Sequence, residues 1–330
     1  MSEDIIQFMR QHLVHEANGQ TYTFPLFKFL KNEHAEILIT QNSIYLGNIS
    51  SYRSPALGGL ISDPDEGKVS LLNSTKSDLH FTALKQSTNV QIDNAYLFCT
   101  TQNFLSDSLR WALSEQKKDT CVLIVNPIEF VRAINSSSDQ LEFSGGSPCI
   151  YKGRSFDINE DFGRRVAQDP YLVSLLKDEK FSGQREFRLI WQLKRNGSVA
   201  PDSHTIQLAE SPEFIPIAYK GMASYFDGHK SMFGMIGVSV YDDSNCEIAG
   251  FEIEHPSTVF FPVVYGDDEK TLGFHPENFD GLIERGYIRC QVVFSSLGPI
   301  LGSVPVKDIK RIEYQYYPGA RYVKGRDRVC

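Results

Sequence analysis

The residues of this chain with the clearest capacity for chemistry fall in three short stretches. Tyr52-Arg53 is followed closely by Asp63, Asp65 and Glu66; Cys99-Thr100-Thr101 closes an apolar run; Glu186 and Arg188 sit two apart in residues 183–191. An arginine offers a planar fork that can grip a phosphate or carboxylate through two hydrogen bonds. A tyrosine beside it can lie against a ring. A thiol can attack an electrophile once deprotonated, and grouped carboxylates can hold a divalent cation or stabilise growing positive charge. Each stretch also has a plainer reading. Asp63-Pro64-Asp65-Glu66-Gly67 has the composition of a type I turn. Buried cysteines at strand ends are common, and a Glu/Arg pair on a strand usually forms a solvated ladder or salt bridge.

These side chains need elements to position them. Ile44-Tyr45-Leu46-Gly47 reads as a strand ending near Tyr52-Arg53, followed by a flexible run, Ala56-Leu57-Gly58-Gly59-Leu60, and the acidic turn. Residues 94–101 read as a strand that delivers Cys99. In residues 186–191, Phe187, Leu189 and Trp191 alternate with Glu186, Arg188 and Ile190, as in a strand with two unlike faces. Apolar flanks place the charged pair in a cleft rather than open water.

Elsewhere, Ile5, Ile6, Met9 and Leu13 give residues 5–14 the spacing of an amphipathic helix. Residues 24–30 read as a strand, and Asn32 as the cap of a helix through Ile37 or Leu38. Short strands are expected in residues 69–90, one of them at 79–84, and a helix at 106–115. The continuous run Thr120 to Val125 marks a strand buried on both faces, ended by Asn126-Pro127 and followed by a helix over 128–134 with Phe130 inward. Residues 136–138 and 144–147 read as loops, 150–151 as a strand, and 159–166 and 171–180 as helices. Beyond Lys194-Arg195-Asn196-Gly197 the chain turns rich in Pro, Gly and short strand-like runs, at 205–208, 235–240, 247–252, 258–264, 288–294 and 309–314. The reading is an α+β fold of mixed, mainly antiparallel sheets with flanking short helices and a β-rich C-terminal half. It is divided into residues 1–197 and 198–330.

Bulk properties narrow the function. The chain has 330 residues, 41% hydrophobic and 22% charged, with a net charge of −8. That balance argues against broad duplex binding, which needs a basic footprint. No stretch approaches the length of a membrane span, and the N-terminus lacks the apolar core of a secretory signal. The six cysteines include no CxxC pair and the histidines no HxxxH pair, so neither a metal site nor a disulfide framework is expected, and the expected compartment is a reducing cytoplasm. Walker, GxSxG and HExxH motifs are all missing from the sequence.

The order of short motifs carries a resemblance. Phe27-Lys28-Phe29-Leu30, Glu33-His34-Ala35, Tyr52-Arg53, Asp63-x-x-Glu66-Gly67, Phe98-Cys99-Thr100-Thr101, Phe130, Tyr151 and Gln184-Arg185-Glu186-Phe187-Arg188 follow one another over about residues 24–193. This succession resembles a widespread family of bacterial and phage-associated proteins of unestablished function. Its pattern is K-Y…E-x-A, Y/F-R, D-x-x-E-G, C-x-S, K…E-x-R, and its members often lie near defence genes. The family looks remotely like the ADP-ribosyltransferase fold. The resemblance implies NAD as cofactor, with Arg53 on its phosphates or ribose and Tyr52 near the nicotinamide. Glu66 and Arg188 would complete the cofactor contacts. Glu186 would be the catalytic carboxylate, bonding the ribose hydroxyl and stabilising positive charge at the anomeric carbon. Arg53 and Glu186 must then converge. This chain departs from the pattern at Cys99-Thr100-Thr101, which keeps only the hydroxyl of C-x-S.

Three functions follow as expectations. The first is an NAD-dependent ADP-ribosyltransferase or NAD-consuming protein of phage–host conflict, with a protein or nucleic-acid acceptor. The second is a non-catalytic module that binds a nucleotide or protein segment as sensor or antagonist. The third is a metal-dependent nuclease built on Asp63, Asp65, Glu66 and Glu186.

Overall fold

The computed structural model of the chain describes residues 9, 11–17, 20–57, 62–73, 86–102, 118, 120–194, 201–220, 234–253, 258–265, 271–278, 283–284, 287–288 and 302–318. The fold is α+β, with mixed, mainly antiparallel sheets and short helices packed against them. The largest sheet has 11 strands. Its main path runs Ser203–Gln207, Ser43–Asn48, Ala95–Thr101, Leu26–Leu30, Thr120–Ile124, Phe214–Lys220, Arg311–Pro318, Gly234–Tyr241 and Glu247–Ile253. Glu186–Leu193 branches from Ala95–Thr101 and carries Leu141–Pro148 on its far edge. Strands from both sides of residue 197 share this sheet, and the expected boundary itself lies outside the described residues. A second sheet joins Val14–Ala17 and Gln20–Thr23 to Thr258–Tyr265, Thr271–Asn278 and Gly302–Pro305.

The sheet is held by an apolar layer on one face. Leu26, Val122, Ile124, Tyr96, Phe98, Phe187, Leu189 and Trp191 pack there with Phe130, Val131 and Ile134 of the helix Pro127–Ser137. That helix starts as its sequence demands. Asn126 caps it by accepting from Ile128 N and Glu129 N, and Pro127 occupies the first turn, where its missing N–H costs nothing. Cys121 to Val125 are fully buried, as a run of apolar, mostly β-branched residues should be when both sheet faces are covered.

The opposite face of Ala95–Thr101 and Glu186–Leu193 carries a second layer. Its parts are the small sheet Ser155–Asp157, Lys68–Asn73, Gln86–Gln91, the helix Asp161–Gln168, and the 3-10 turns Ile49–Arg53, Pro170–Leu175 and Glu179–Gln184. Ile49, Leu175, Tyr52, Ile92 and Tyr171 meet Ala95, Leu97, Cys99 and Ile190 of the sheet. Val166, Val173, Leu176, Val69 and Leu71 form the adjoining cluster.

Several local readings are corrected. Lys31, not Asn32, occupies the cap of the helix Asn32–Thr40; Asn32 Oδ1 instead accepts from Thr120 Oγ1 at 3.2 Å. Residues 144–147 are strand interior, not loop. Gly145 and Gly146 are required there because a Cβ would lie 2.6 Å from the Tyr171 hydroxyl at the first and 2.7 Å from Leu189 at the second. The helix expected over 171–180 is two 3-10 turns with Leu176–Lys177 between them, which pairs in parallel with Ile150–Tyr151. Val14 is already strand. Residues 9 and 11–13 of the helix expected over 5–14 are helical, and residues 5–8 and 10, the strand at 79–84, the helix at 106–115 and most of the run at 288–294 lie outside the described residues.

Candidate functional site

Glu186 opens the strand Glu186–Leu193, and Arg188 faces Cys99 across the register of the neighbouring strand. The alternation seen in the sequence therefore holds: Phe187, Leu189 and Trp191 enter the apolar layer, while Glu186, Arg188 and Ile190 turn to the other face. Neither charged side chain lines an open cleft. Arg188 and Glu66 are both 1% exposed, and Glu186 is 7% exposed.

Such charges persist only when paired and hydrogen-bonded, and here they are. Arg188 Nη1 donates to Glu66 Oε1 at 2.8 Å and to the Ser174 carbonyl at 2.6 Å, while its Nε donates to Glu186 Oε1 at 3.2 Å. Lys177 Nζ forms an ion pair with Glu186 Oε2 and donates to Gln184 Oε1 at 2.6 Å. The Glu186 backbone N–H donates to the Tyr151 hydroxyl at 2.7 Å. Burial alone would keep Glu186 neutral. The adjacent Arg188 and Lys177 override it and hold the carboxyl far below the usual carboxylate range. Burial likewise opposes the charge on Lys177, yet Glu186, with Glu66, raises its pKa. Two carboxylates face two cations, so the group is neutral as a whole.

Arg53 does not meet Glu186. It lies at the end of the 3-10 turn Ile49–Arg53, whose cap Asn48 ends the preceding strand and accepts from Ser50. Its Nε donates to the Glu66 carbonyl at 2.7 Å, its Nη2 to the Ile92 carbonyl at 2.6 Å, and its Nη1 pairs with Asp93. The guanidinium is a clamp on the acidic turn. It touches the backbone of Glu66, whose carboxylate Arg188 holds. Asp63 forms an ion pair with Arg154, and its backbone carbonyl accepts from Glu66 N at 2.9 Å, closing the turn. Asp65 is exposed. The acidic stretch is thus both a turn, as its composition implies, and the source of one buried carboxylate.

Tyr52 is half-buried, with its ring over the bare Cα of Gly47 and its hydroxyl 4.0 Å from Cys99 Sγ. Burial, aided by Glu186, pushes the Cys99 thiol up to about 11, so at neutral pH it is not the thiolate a nucleophile requires. On its other side Cys99 meets a fork in the sheet. Along one edge, Ala95–Thr101 pairs throughout with Glu186–Gln192. Along the other it pairs with Ser43–Asn48 only at Tyr96 and Leu97, and with Leu26–Leu30 only at Thr101. Where those two strands diverge, Lys28 Nζ supplies the missing donor to the Cys99 carbonyl at 2.6 Å and lies 4.4 Å from the Phe98 ring centroid.

Lys177 and Asp93 had no place among the residues singled out in the sequence, and Lys28 stood there only within the motif Phe27-Lys28-Phe29-Leu30, with no role of its own. The signal for Lys177 was its position after Leu175-Leu176, since a lysine closing a buried apolar segment needs a counter-charge. Nothing local announced the contact of Lys28 with the Cys99 carbonyl or of Asp93 with Arg53, since those partners come from distant segments. Among the described residues no group of three or more His, Cys, Asp or Glu could hold a metal ion. Asp63 and Glu66 are committed to different arginines. Among the same residues no helix is long and apolar enough to cross a membrane. No protein-family model, curated protein or solved structure matches this chain.

His12 packs edge-on against Phe187, 6.3 Å between ring centroids, behind the charged group. Burial lowers its pKa to about 4. The unfolded chain, with an ordinary imidazole near 6.5, then binds the proton more readily than the folded one. The stability contributed by neutral His12 is complete above that value and is lost as pH falls from about 6.5 to about 4. His12→Phe should flatten the fall of the urea midpoint over this window; an unchanged pH slope would refute the assignment.

Proposed function

We propose that this chain is a non-catalytic recognition protein that binds a nucleotide around Cys99, where Tyr52 and Lys28 converge. The observation that carries this reading is the closure of Glu186 by Lys177 and Arg188. A carboxylate stabilises an oxocarbenium-like centre by its unbalanced negative charge. Glu186 spends that charge on two buried cations. Arg53, similarly, has its guanidinium committed to Asp93 and two backbone carbonyls rather than to a ligand. What the region offers instead is a half-buried aromatic, Tyr52, and a cation in a notch of the sheet, the elements from which ring and phosphate recognition are usually built.

A second reading, NAD-dependent ADP-ribosyl transfer with Glu186 as the catalytic carboxylate, draws support from the same group remaining ionised in a water-poor setting. One experiment separates the two. Purified protein is titrated with NAD and ADP by calorimetry, and free nicotinamide is followed by chromatography. The recognition reading expects saturable binding without nicotinamide release. Release that disappears in Glu186→Gln would replace it with the transfer reading.

A further inference from the structure

The two ends of the main path of the largest sheet are finished differently. Glu247–Ile253, at one end, carries Glu247 and Glu252, and its pairing shifts register between Val240 and Tyr241 of the neighbouring strand. Charge and irregularity are the usual guards of a free edge. Ser203–Gln207, at the other end, has neither. No charged residue and no proline falls within residues 203–209, and the strand pairs with Ser43–Asn48 without a shift. Hydrogen bonds at its two flanks fix which side is free. Asn48 N donates to the Asp202 carbonyl and Leu208 N to the Asn42 carbonyl, both at 2.9 Å. Bonded positions alternate along an antiparallel ladder, so His204 and Ile206 give their backbone groups to Leu46 and Ile44. The N–H and C=O of Ser203, Thr205 and Gln207 point outward, and among the described residues no other strand or backbone group pairs with them. Thr205 is exposed, and so is Tyr45, at 61%, its partner on the neighbouring strand, in the kind of pair where side chains approach most closely.

We infer that this edge joins the same edge of a second copy of the chain, antiparallel about a two-fold axis at Thr205, to give one sheet continuous through both copies. The outward positions map onto one another about that axis. Thr205 meets itself and Ser203 meets Gln207, each pair exchanging two backbone hydrogen bonds. A Thr–Thr pair is favourable across strands. The chain's net charge of −8 opposes self-association wherever acids face each other, and residues 203–209 bring none to the join. The join also extends the exposed row of Tyr45 and Thr205 into the other copy, taking apolar surface out of water.

Sedimentation equilibrium of the full chain over a dilution series should show monomer and dimer in exchange. Amide hydrogen exchange at Ser203, Thr205 and Gln207 should slow as the dimer forms, while His204 and Ile206, bonded within the chain, stay unchanged. Thr205→Pro removes the central outward N–H and spares the bonds to Ser43–Asn48, the one setting in which a strand tolerates proline. It should raise the dimer Kd by roughly tenfold or more. Thr205→Lys, at an exposed position, serves where the proline variant fails to fold: it sets like charges against each other and should weaken the dimer equally, and mixing it with Thr205→Glu should restore a heterodimer. A dimer left intact by the folded variants, or charge variants that do not re-associate, would overturn the proposal. So would a monomer at every concentration, its three amides exchanging fast if the edge awaits another protein and slowly if a segment of this chain covers it.

Discussion

Replacing Arg188 by Ala should cost about 3–5 kcal/mol of stability at neutral pH, the usual consequence of leaving buried charges without their partner. Arg188 is 1% exposed and is the shared counter-charge of Glu66, also 1% exposed, and Glu186. Its removal leaves two carboxylates facing Lys177 alone and orphans the Ser174 carbonyl. The effect has a pH signature. In the intact protein Glu186 titrates below its unfolded value, so its contribution is present above the unfolded carboxyl pKa and lost in stronger acid. In the variant Glu186 keeps only one of its two cations, burial weighs more heavily on its carboxyl, and the penalty is relieved as it protonates. The gap between the two proteins should therefore shrink as pH falls from 7 toward 4, read as converging urea midpoints. A triple change of Arg188→Met, Glu66→Gln and Glu186→Gln removes charge together with counter-charge and should recover a large part of the loss. A single-variant loss under about 1 kcal/mol would mean that water reaches the group.

Gly163→Ala should be the second most damaging change, despite a helical context that ordinarily rewards the substitution. Alanine is better than glycine in a helix interior by roughly 1 kcal/mol. Gly163 lies in the helix Asp161–Gln168, but a Cβ there would stand 2.1 Å from the Asp157 carbonyl oxygen and 2.7 Å from its carbon. Those atoms are backbone and cannot swing aside. Asp157 ends the strand Ser155–Asp157, paired in parallel with Lys68–Asn73, and the Ile158 N–H donates to the Leu72 carbonyl at 2.8 Å. Relief requires the helix to lift off the small sheet and break its contacts at Val166. Overpacking costs about 1–3 kcal/mol, and a clash with fixed backbone belongs at the upper end, so a net loss of about 2 kcal/mol is expected once the propensity gain of about 1 kcal/mol is subtracted. Thermal unfolding measures it, and a neutral or stabilising result would show that the helix adjusts freely.

What could be read from the sequence was what depends on neighbours along the chain. The strand Thr120–Ile124, the helix after Asn126-Pro127 and the two-faced strand at Glu186 all announce themselves within a few residues, through β-branched runs, a cap and alternation. The 3-10 turns over 170–184 do not, because they are too short to repeat a hydrophobic period. Gly145-Gly146 misled for a related reason. Glycine is the default loop residue, and only the opposing Tyr171 and Leu189 reveal that it is needed inside a strand. Arg53 was legible as a polar hub but not as a clamp, since two of its partners are carbonyls, 13 and 39 residues away, that any side chain could carry. The pairing of Glu186 with Arg188 was visible in their spacing; their joint burial was decided by Glu66 and Lys177, brought in from other segments.

The strand Arg311–Pro318 lies between Phe214–Lys220 and Gly234–Tyr241, although it follows both by many residues. During synthesis on the ribosome, Phe214–Lys220 and Gly234–Tyr241 leave the exit tunnel with a gap between them that only this late segment can fill. Until it arrives, each presents bare backbone donors and acceptors that any passing chain could join. Because that closure spans so much intervening polymer, it is slow to find. Those two edges stay open over the interval in which this inner strand is still being made.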